Sequence, residues 1–350
     1  MNLPPRAPFL LPFEGVAPVL HGPLARADAG SAILGRVTLG AGATLGPFAT
    51  IRGDGHVVVA GRDLHLGERS TVHIAHGRYG TMLGDGVTVG SHSVVHACTV
   101  GDGCVIEDQV SVLDGSVVGA GSVVAAGSVV FPRSVLPAGH WCEGVPAVPR
   151  RPIGAAELSA LHERIRGASA HAARSSPAEL GHRWAGKATG YVAATVTGQG
   201  ELRMAEGSSL WFGCVVDAPR HGVDLGAGAN VQDNSLLRCS ERAITIGRDC
   251  IVGHNVRLHD CRLGERVLVG MGSVLAPGTV VGDDTLVAAG STTTAGQVLE
   301  GGWLWGGRPA RRLLPLDEGK RQMIKESADV YRAYAREFAA GQDASSVARA

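Results

Sequence analysis

The stretch VGHNVRLHDC, residues 252–261, carries two imidazoles, His254 and His259, five residues apart. A catalytic zinc takes three protein ligands and keeps a fourth position open, so this pair is at least one donor short. On extended chain five residues reach about 16 Å at roughly 3.3 Å each, and a corner is expected between them. The two rings should therefore face different sides of whatever carries them, with the remaining donors elsewhere in the chain. A second stretch repeats the chemistry: His96-Ala97-Cys98 has the same His-x-Cys form as His259-Asp260-Cys261.

The elements that must position these residues are written as a ladder. An aliphatic residue returns every six positions at Leu83, Val89 and Val95, then at Val100, Ile106, Val112, Val118 and Val124. The pattern recurs at Ile246, Val252 and Leu258, then at Leu263, Val269, Leu275, Val281 and Val287. Each copy contains one step of five, and in both it falls at the His-x-Cys element. A shared irregularity at a shared place marks an internal duplication. Six-residue periodicity predicts a parallel β-helix, with one aliphatic side chain per short strand pointing inward and small residues making the corners. A sandwich would need longer alternating runs. The fold expected is all-β dominated: two tandem β-helices over residues 1–152 and 187–350, joined by a helical or flexible connector at 153–186. A C-terminal α-helix of about 20 residues is read from the stripe Ile324, Ala328, Tyr331, Ala335 and Phe338, and is expected to pack on the side of the second β-helix.

Composition narrows the partners. Lys+Arg and Asp+Glu balance at 32 each in 350 residues, so no bulk charge recruits nucleic acid or an anionic membrane. Gly at 51 residues with 4% aromatics suits many short aliphatic rungs closed by tight turns. Seven cysteines without a C-x-x-C pair read as reduced thiols of a cytoplasmic protein. The N-terminal MNLPPRAPFLLPFEG is not read as a signal peptide, and no apolar run is long enough for a membrane span.

Both halves resemble the γ-class carbonic anhydrases, which are trimeric left-handed β-helix enzymes. The first half carries IRGD (51–54), TVH (71–73), VTVGSHSVVHACTVGDG (87–103) and GVPAVPRRP (144–152). The second carries GSSLWFG (207–213), NVQD (230–233), VGHNVRLHDC, GERVLVGMGSVL (264–275) and WLWGGRPARRLLPL (303–316). The resemblance implies left-handed β-helices and a metal-dependent hydration of carbon dioxide to bicarbonate, with zinc as the metal and iron or cobalt as alternatives that imidazole also suits. It implies the ligand positions too: His73, Ser91 and His96 in the first half, and Arg238, His254 and His259 in the second. In the family the first and third histidines come from one protomer and the middle one from its neighbour. Carried over, His73, His96 and His254 complete one site, and the reverse combination of Arg238, His259 and Ser91 holds no catalytic zinc.

The other implied residues sort the same way. Asn230, Gln232 and Asp233 are kept in the second half, where the first has His65, Gly67 and Glu68. Arg52 and Asp54 are kept in the first half, where the second has Asp217 at the arginine position. The resemblance gives Gln232 the role of orienting the water and Arg52 that of matching Asp233 across an interface. At the reverse interface Arg238 and Asp217 are expected to form a buried ion pair in place of a metal. His56, His65, His76, His92 and His140 are read as corner residues, solvated or hydrogen bonded to a neighbouring turn, and Cys98 and Cys261 as small buried fillers. Association of like chains through the β-helix faces is expected. Two other functions stay open: a catalytically inactive assembly protein on the same scaffold, and a coenzyme A-dependent acyltransferase, since fold does not decide function.

Overall fold

A computed structural model describes residues 7–175, 182–186 and 189–347. The chain forms two compact units, Met1–Glu179 and Leu180–Ala350. In each, short parallel strands wind into coils with three faces, the architecture of the left-handed β-helix.

In the first unit one face stacks Thr71–His73, Val94–His96, Ser111–Val112 and Val129–Val130. The next stacks Thr81–Leu83, Thr99–Val100, Val117–Val118 and Val135–Leu136. The third runs from Arg26–Ala27 through Thr44–Leu45, His65–Leu66, Thr88–Val89, Val105–Ile106 and Val123–Val124 to His140–Gly144. The long strand Thr50–Ala60 bends around a corner and contributes to the first two faces. The second unit repeats the plan, with Val215–Leu225 as its bent strand and a third face running from Tyr191–Val192 to Trp303–Gly307. Each unit closes with an antiparallel hairpin, Ala147–Pro152 in the first and Ala310–Pro315 in the second.

All sixteen rungs of the sequence ladder are buried, at 5% exposure or less. One inward methyl-rich side chain per strand fills a prism this narrow, and burying each contributes on the order of 1.5–3 kcal/mol. The five-residue steps fall at corners where Ala97 and Asp260 take φ of 51° and 50°; the left-handed turn there rejoins the ladder with one residue fewer. The seven cysteines are free and buried.

Helix α1, Ala155–Ser175, belongs to the first unit although it lies in the stretch read as a connector. Its Leu158, Leu161 and Ile165 pack on Val105, Val123 and Trp141 of the third face. Helix α2, Glu318–Val347, lies on the same face of the second unit and is longer than the expected 20 residues, at 30. The five residues of its apolar stripe are buried as expected. Ile324 packs with Ile251, Leu268 and Leu286, while Tyr331 and Phe338 sit edge-on to Trp211 at centroid distances of 5.2 and 5.7 Å.

His65 departs from the expectation of a solvated corner. It is 3% exposed, because α1 covers the column in which Thr44, His65 and Thr88 stand side by side. His162 and Arg166 of α1 both meet the Thr88 hydroxyl, at 2.7 and 3.0 Å, and His65 Nε2 has no hydrogen-bond partner among the described residues. Burial first, then the charges of Arg166 and Arg26 and the neighbouring His162, lower the His65 pKa from 6.5 to about 3. The folded state thus refuses a proton that the unfolded chain accepts near pH 6.5. The stability that results is full above that pH and is lost as pH falls toward 3. From pH 7 to pH 5 the loss attributable to this group is about 2 kcal/mol. In urea denaturation at the two pH values, His65→Gln is expected to remove that share of the pH dependence; an unchanged dependence would refute the assignment.

Candidate metal centre

In the first unit His73 and His96 are register partners on adjacent coils, and their rings lie 5.3 Å apart. His73 is 2% exposed and His96 7%. The His73 Nε2 lies 2.6 Å from Asp54 Oδ1, and the Thr81 hydroxyl donates to its carbonyl. Asp54 Oδ2 accepts from Arg52 Nε at 2.9 Å and from Arg52 Nη2. The Arg-Gly-Asp element makes this possible at the bend of the strand Thr50–Ala60. A Cβ on Gly53 would fall 2.5 Å from the Arg36 carbonyl, so only glycine lets the two strands close there. Arg52 and Asp54 are fully buried.

The electrostatics of this group favour a metal ligand. Burial depresses the His73 pKa more strongly than the Asp54 charge raises it, so the imidazole is held neutral. For Asp54 burial pushes upward, but the Arg52 charge and the His73 hydrogen bond outweigh it, and the carboxyl falls to about 2. On the neighbouring coil His96 Nδ1 lies 2.7 Å from Asp114 Oδ1.

In the second unit His254 sits in the turn between Ile251–Val252 and Arg257–His259, with no exposed surface. Its Nδ1 is 3.0 Å from Asp233 Oδ2, and Asp233 Oδ1 accepts the Phe212 amide at 3.0 Å. Gln232 and Asn230 are buried beside this strand: Gln232 Nε2 donates to Asn230 Oδ1 at 3.3 Å, and Asn230 Nδ2 to the Cys250 carbonyl at 3.4 Å. His259 lies apart from this group, its side chain 35% exposed and its Nε2 2.9 Å from the Ser240 hydroxyl. It stands next to Arg238 in register. The expected ion pair of Arg238 with Asp217 forms at 3.2 Å but is not buried: the two side chains are 54% and 29% exposed. The outward side chains of this column end in solvent instead of under packed chain.

The donor chemistry fits a metal. Histidine ligands characteristically give their second ring nitrogen to a carboxylate, which fixes the tautomer and raises basicity. His73 has Asp54 and His96 has Asp114 in that role, and Asp233 Oδ2 stands 3.0 Å from His254 Nδ1. Asp54 and Asp233 fall in motifs visible in the sequence. Asp114 does not; its only signal is its place 18 residues after His96, three six-residue steps along the ladder and hence one coil further on.

Comparison with known proteins agrees with this architecture. The family model described as bacterial transferase hexapeptide (six repeats) matches residues 260–295. Gamma carbonic anhydrase 1, mitochondrial, of Arabidopsis thaliana is 34% identical over 157 residues, covering 43% of this chain and 57% of that protein. Protein YrdA of Escherichia coli strain K12 is 37% identical over 140 residues, covering 38% of this chain and 76% of that protein. The crystal structure of a hexapeptide transferase family protein from Anaplasma phagocytophilum is 31% identical, covers 44% of this chain and 95% of that chain, and gives a TM-score of 0.42. The chain spans little more than half the length of the first curated relatives it matches, 57% and 53%. With the solenoid, the motifs and these relatives in hand, the chain belongs to the γ-class carbonic anhydrase-like hexapeptide-repeat proteins.

The two arginine–aspartate pairs should behave differently on truncation. Arg52→Ala strands the buried Asp54 charge and is expected to cost about 3–5 kcal/mol. Arg238→Ala breaks a solvent-screened pair and is expected to stay within about 1 kcal/mol of the parent. Equal losses in urea denaturation would contradict the difference in burial.

Proposed function

We propose that His73, His96 and His254 ligate one catalytic metal ion, zinc in the first instance, and that the protein hydrates carbon dioxide reversibly to bicarbonate. The observation that carries this reading is the paired set of buried imidazoles and carboxylates. His73, His96 and His254 are each buried, and each has an aspartate oxygen of its own unit within 3.0 Å of one ring nitrogen. Held by neutral imidazoles, a zinc ion would supply Lewis acidity enough to bring the pKa of water to about 7. The chain's own residues would do the rest. Burial keeps His73 unprotonated and ready to ligate. Gln232, braced on Asn230, offers an amide to orient water. Arg52 neutralises Asp54, so that the carboxylate can accept from His73 without leaving an unbalanced charge in the interior.

Like chains would associate through a prism face. Met82, Thr99, Val117 and Val135 follow one another in register on the first unit, and Met82, Val117 and Val135 are exposed. Outward valines in such a column favour burial against a second copy. A cytoplasmic location is supported by the seven unpaired thiols. No described helix is long and apolar enough to cross a membrane.

Elemental analysis of the purified chain tests the centre. About one metal ion per chain is expected, lost in His73→Ala and His254→Ala and kept in His259→Ala, with carbon dioxide hydration following metal content. Absence of metal, or equal loss in His259→Ala, would overturn this reading in favour of an inactive assembly protein.

A further inference from the structure

One carboxylate beside the proposed ligands belongs to no recognised motif, and the duplication shows how selectively it is kept. Asp114 stands at the corner after Ser111–Val112, one coil beyond His96, with its Oδ1 2.7 Å from His96 Nδ1. Its side chain is 42% exposed, whereas Asp54 and Asp233 are fully buried. The corner is defined by a backbone bond from Gly115 N to the Ala97 carbonyl at 2.7 Å. In the second unit the matching bond runs from Gly278 N to the Asp260 carbonyl at 3.1 Å, which places Pro277 where Asp114 stands. Likewise the two bent strands, Thr50–Ala60 and Val215–Leu225, each of 11 residues, place Pro219 where Asp54 stands. The second unit therefore keeps an imidazole at His259 without a counterpart of Asp114; the carboxylate near that ring is Asp260, with Oδ2 3.7 Å from Nε2. Nothing in the coil itself requires an acid at this corner, since proline serves there equally well.

We propose that Asp114 is a positioning residue of the metal centre: it accepts the Nδ1 proton of His96, fixes the tautomer that presents Nε2, and holds the ring beside His73. The imidazole of His96 would otherwise choose between two ring orientations and two tautomers, and only one combination points an Nδ1 proton at Asp114 while leaving the Nε2 lone pair free. Ordering that choice before the metal arrives removes an entropic cost from binding. The inference rests on the three-histidine reading above and assigns it a residue that the ligand pattern does not include.

Zinc affinity of the full chain, measured by competition with a chromophoric chelator, tests it, together with the melting temperature of the metal-free protein. Asp114→Ala is expected to weaken zinc binding by about 10–100-fold, with the metal-free melting temperature unchanged because the carboxylate stands at a half-exposed corner. Asp114→Asn can still accept the Nδ1 proton through its amide oxygen and is expected to recover part of the loss. Zinc binding by Asp114→Ala as tight as by the parent would overturn the assignment alone. A fall in metal-free melting temperature that tracks the affinity loss, without recovery in Asp114→Asn, would make Asp114 a structural residue and overturn it too. His96→Ala separates the two levels: if it binds zinc as tightly as the parent, the three-histidine reading itself fails, and this inference with it.

Discussion

Parallel stacking in strict register is the constraint on which the other features depend. Successive coils of a β-helix lie about 4.8 Å apart, and each residue stands directly beside its counterpart one coil away. A side chain in this fold therefore has its neighbours assigned by coil geometry before any chemistry is considered. His73 and His96 are adjacent because they are register partners. Asp217, Arg238 and His259 line up on the second unit for the same reason. To change a site here, evolution has to change what stands in a column, since the backbone offers no loop to re-aim it.

The same frame is filled to opposite effect in the two copies. In the first, the column carries an arginine, an aspartate and a histidine that burial has stripped of water, so their charges must balance internally: Asp54 stays ionised because Arg52 is beside it, and His73 stays neutral because burial outweighs the pull of Asp54. In the second, Asp217 and Arg238 remain in solvent, where water screens their attraction. The residues differ by a few substitutions, yet the dielectric around them decides whether they form a tuned acid–base group or a surface pair.

Much of this is legible in the sequence alone. The inward ladder, its five-residue irregularity and the motifs around His73, His96, His254, Asn230, Gln232 and Asp233 are periodic or contiguous in sequence, and periodic signals survive translation into a solenoid. Asp114 was not legible, because its meaning lies in stacking one coil away and not in a neighbouring residue. The burial of His65 is hidden for a related reason: it stands on a strand of the third face, and the cover over it, α1, lies in a stretch whose polarity reads as a connector. The exposure of the Arg238–Asp217 pair also escaped the sequence, which supplies the opposite charges but not the solvent around them.

The two helices cover equivalent faces with different materials, and that difference sets which parts of each unit breathe. The far end of α2 is gripped by edge-on aromatic contacts among Trp211, Tyr331 and Phe338, so opening it means exposing several rings at once. The far end of α1 rests on hydroxyl and guanidinium contacts at Thr88, Ser169 and Arg26, polar groups that water can hydrogen bond once the helix lifts. Backbone amides in the second half of α1 are therefore expected to exchange with solvent through smaller openings than those around Tyr331. Two helices that occupy the same station on a duplicated scaffold thus belong to different cooperative units.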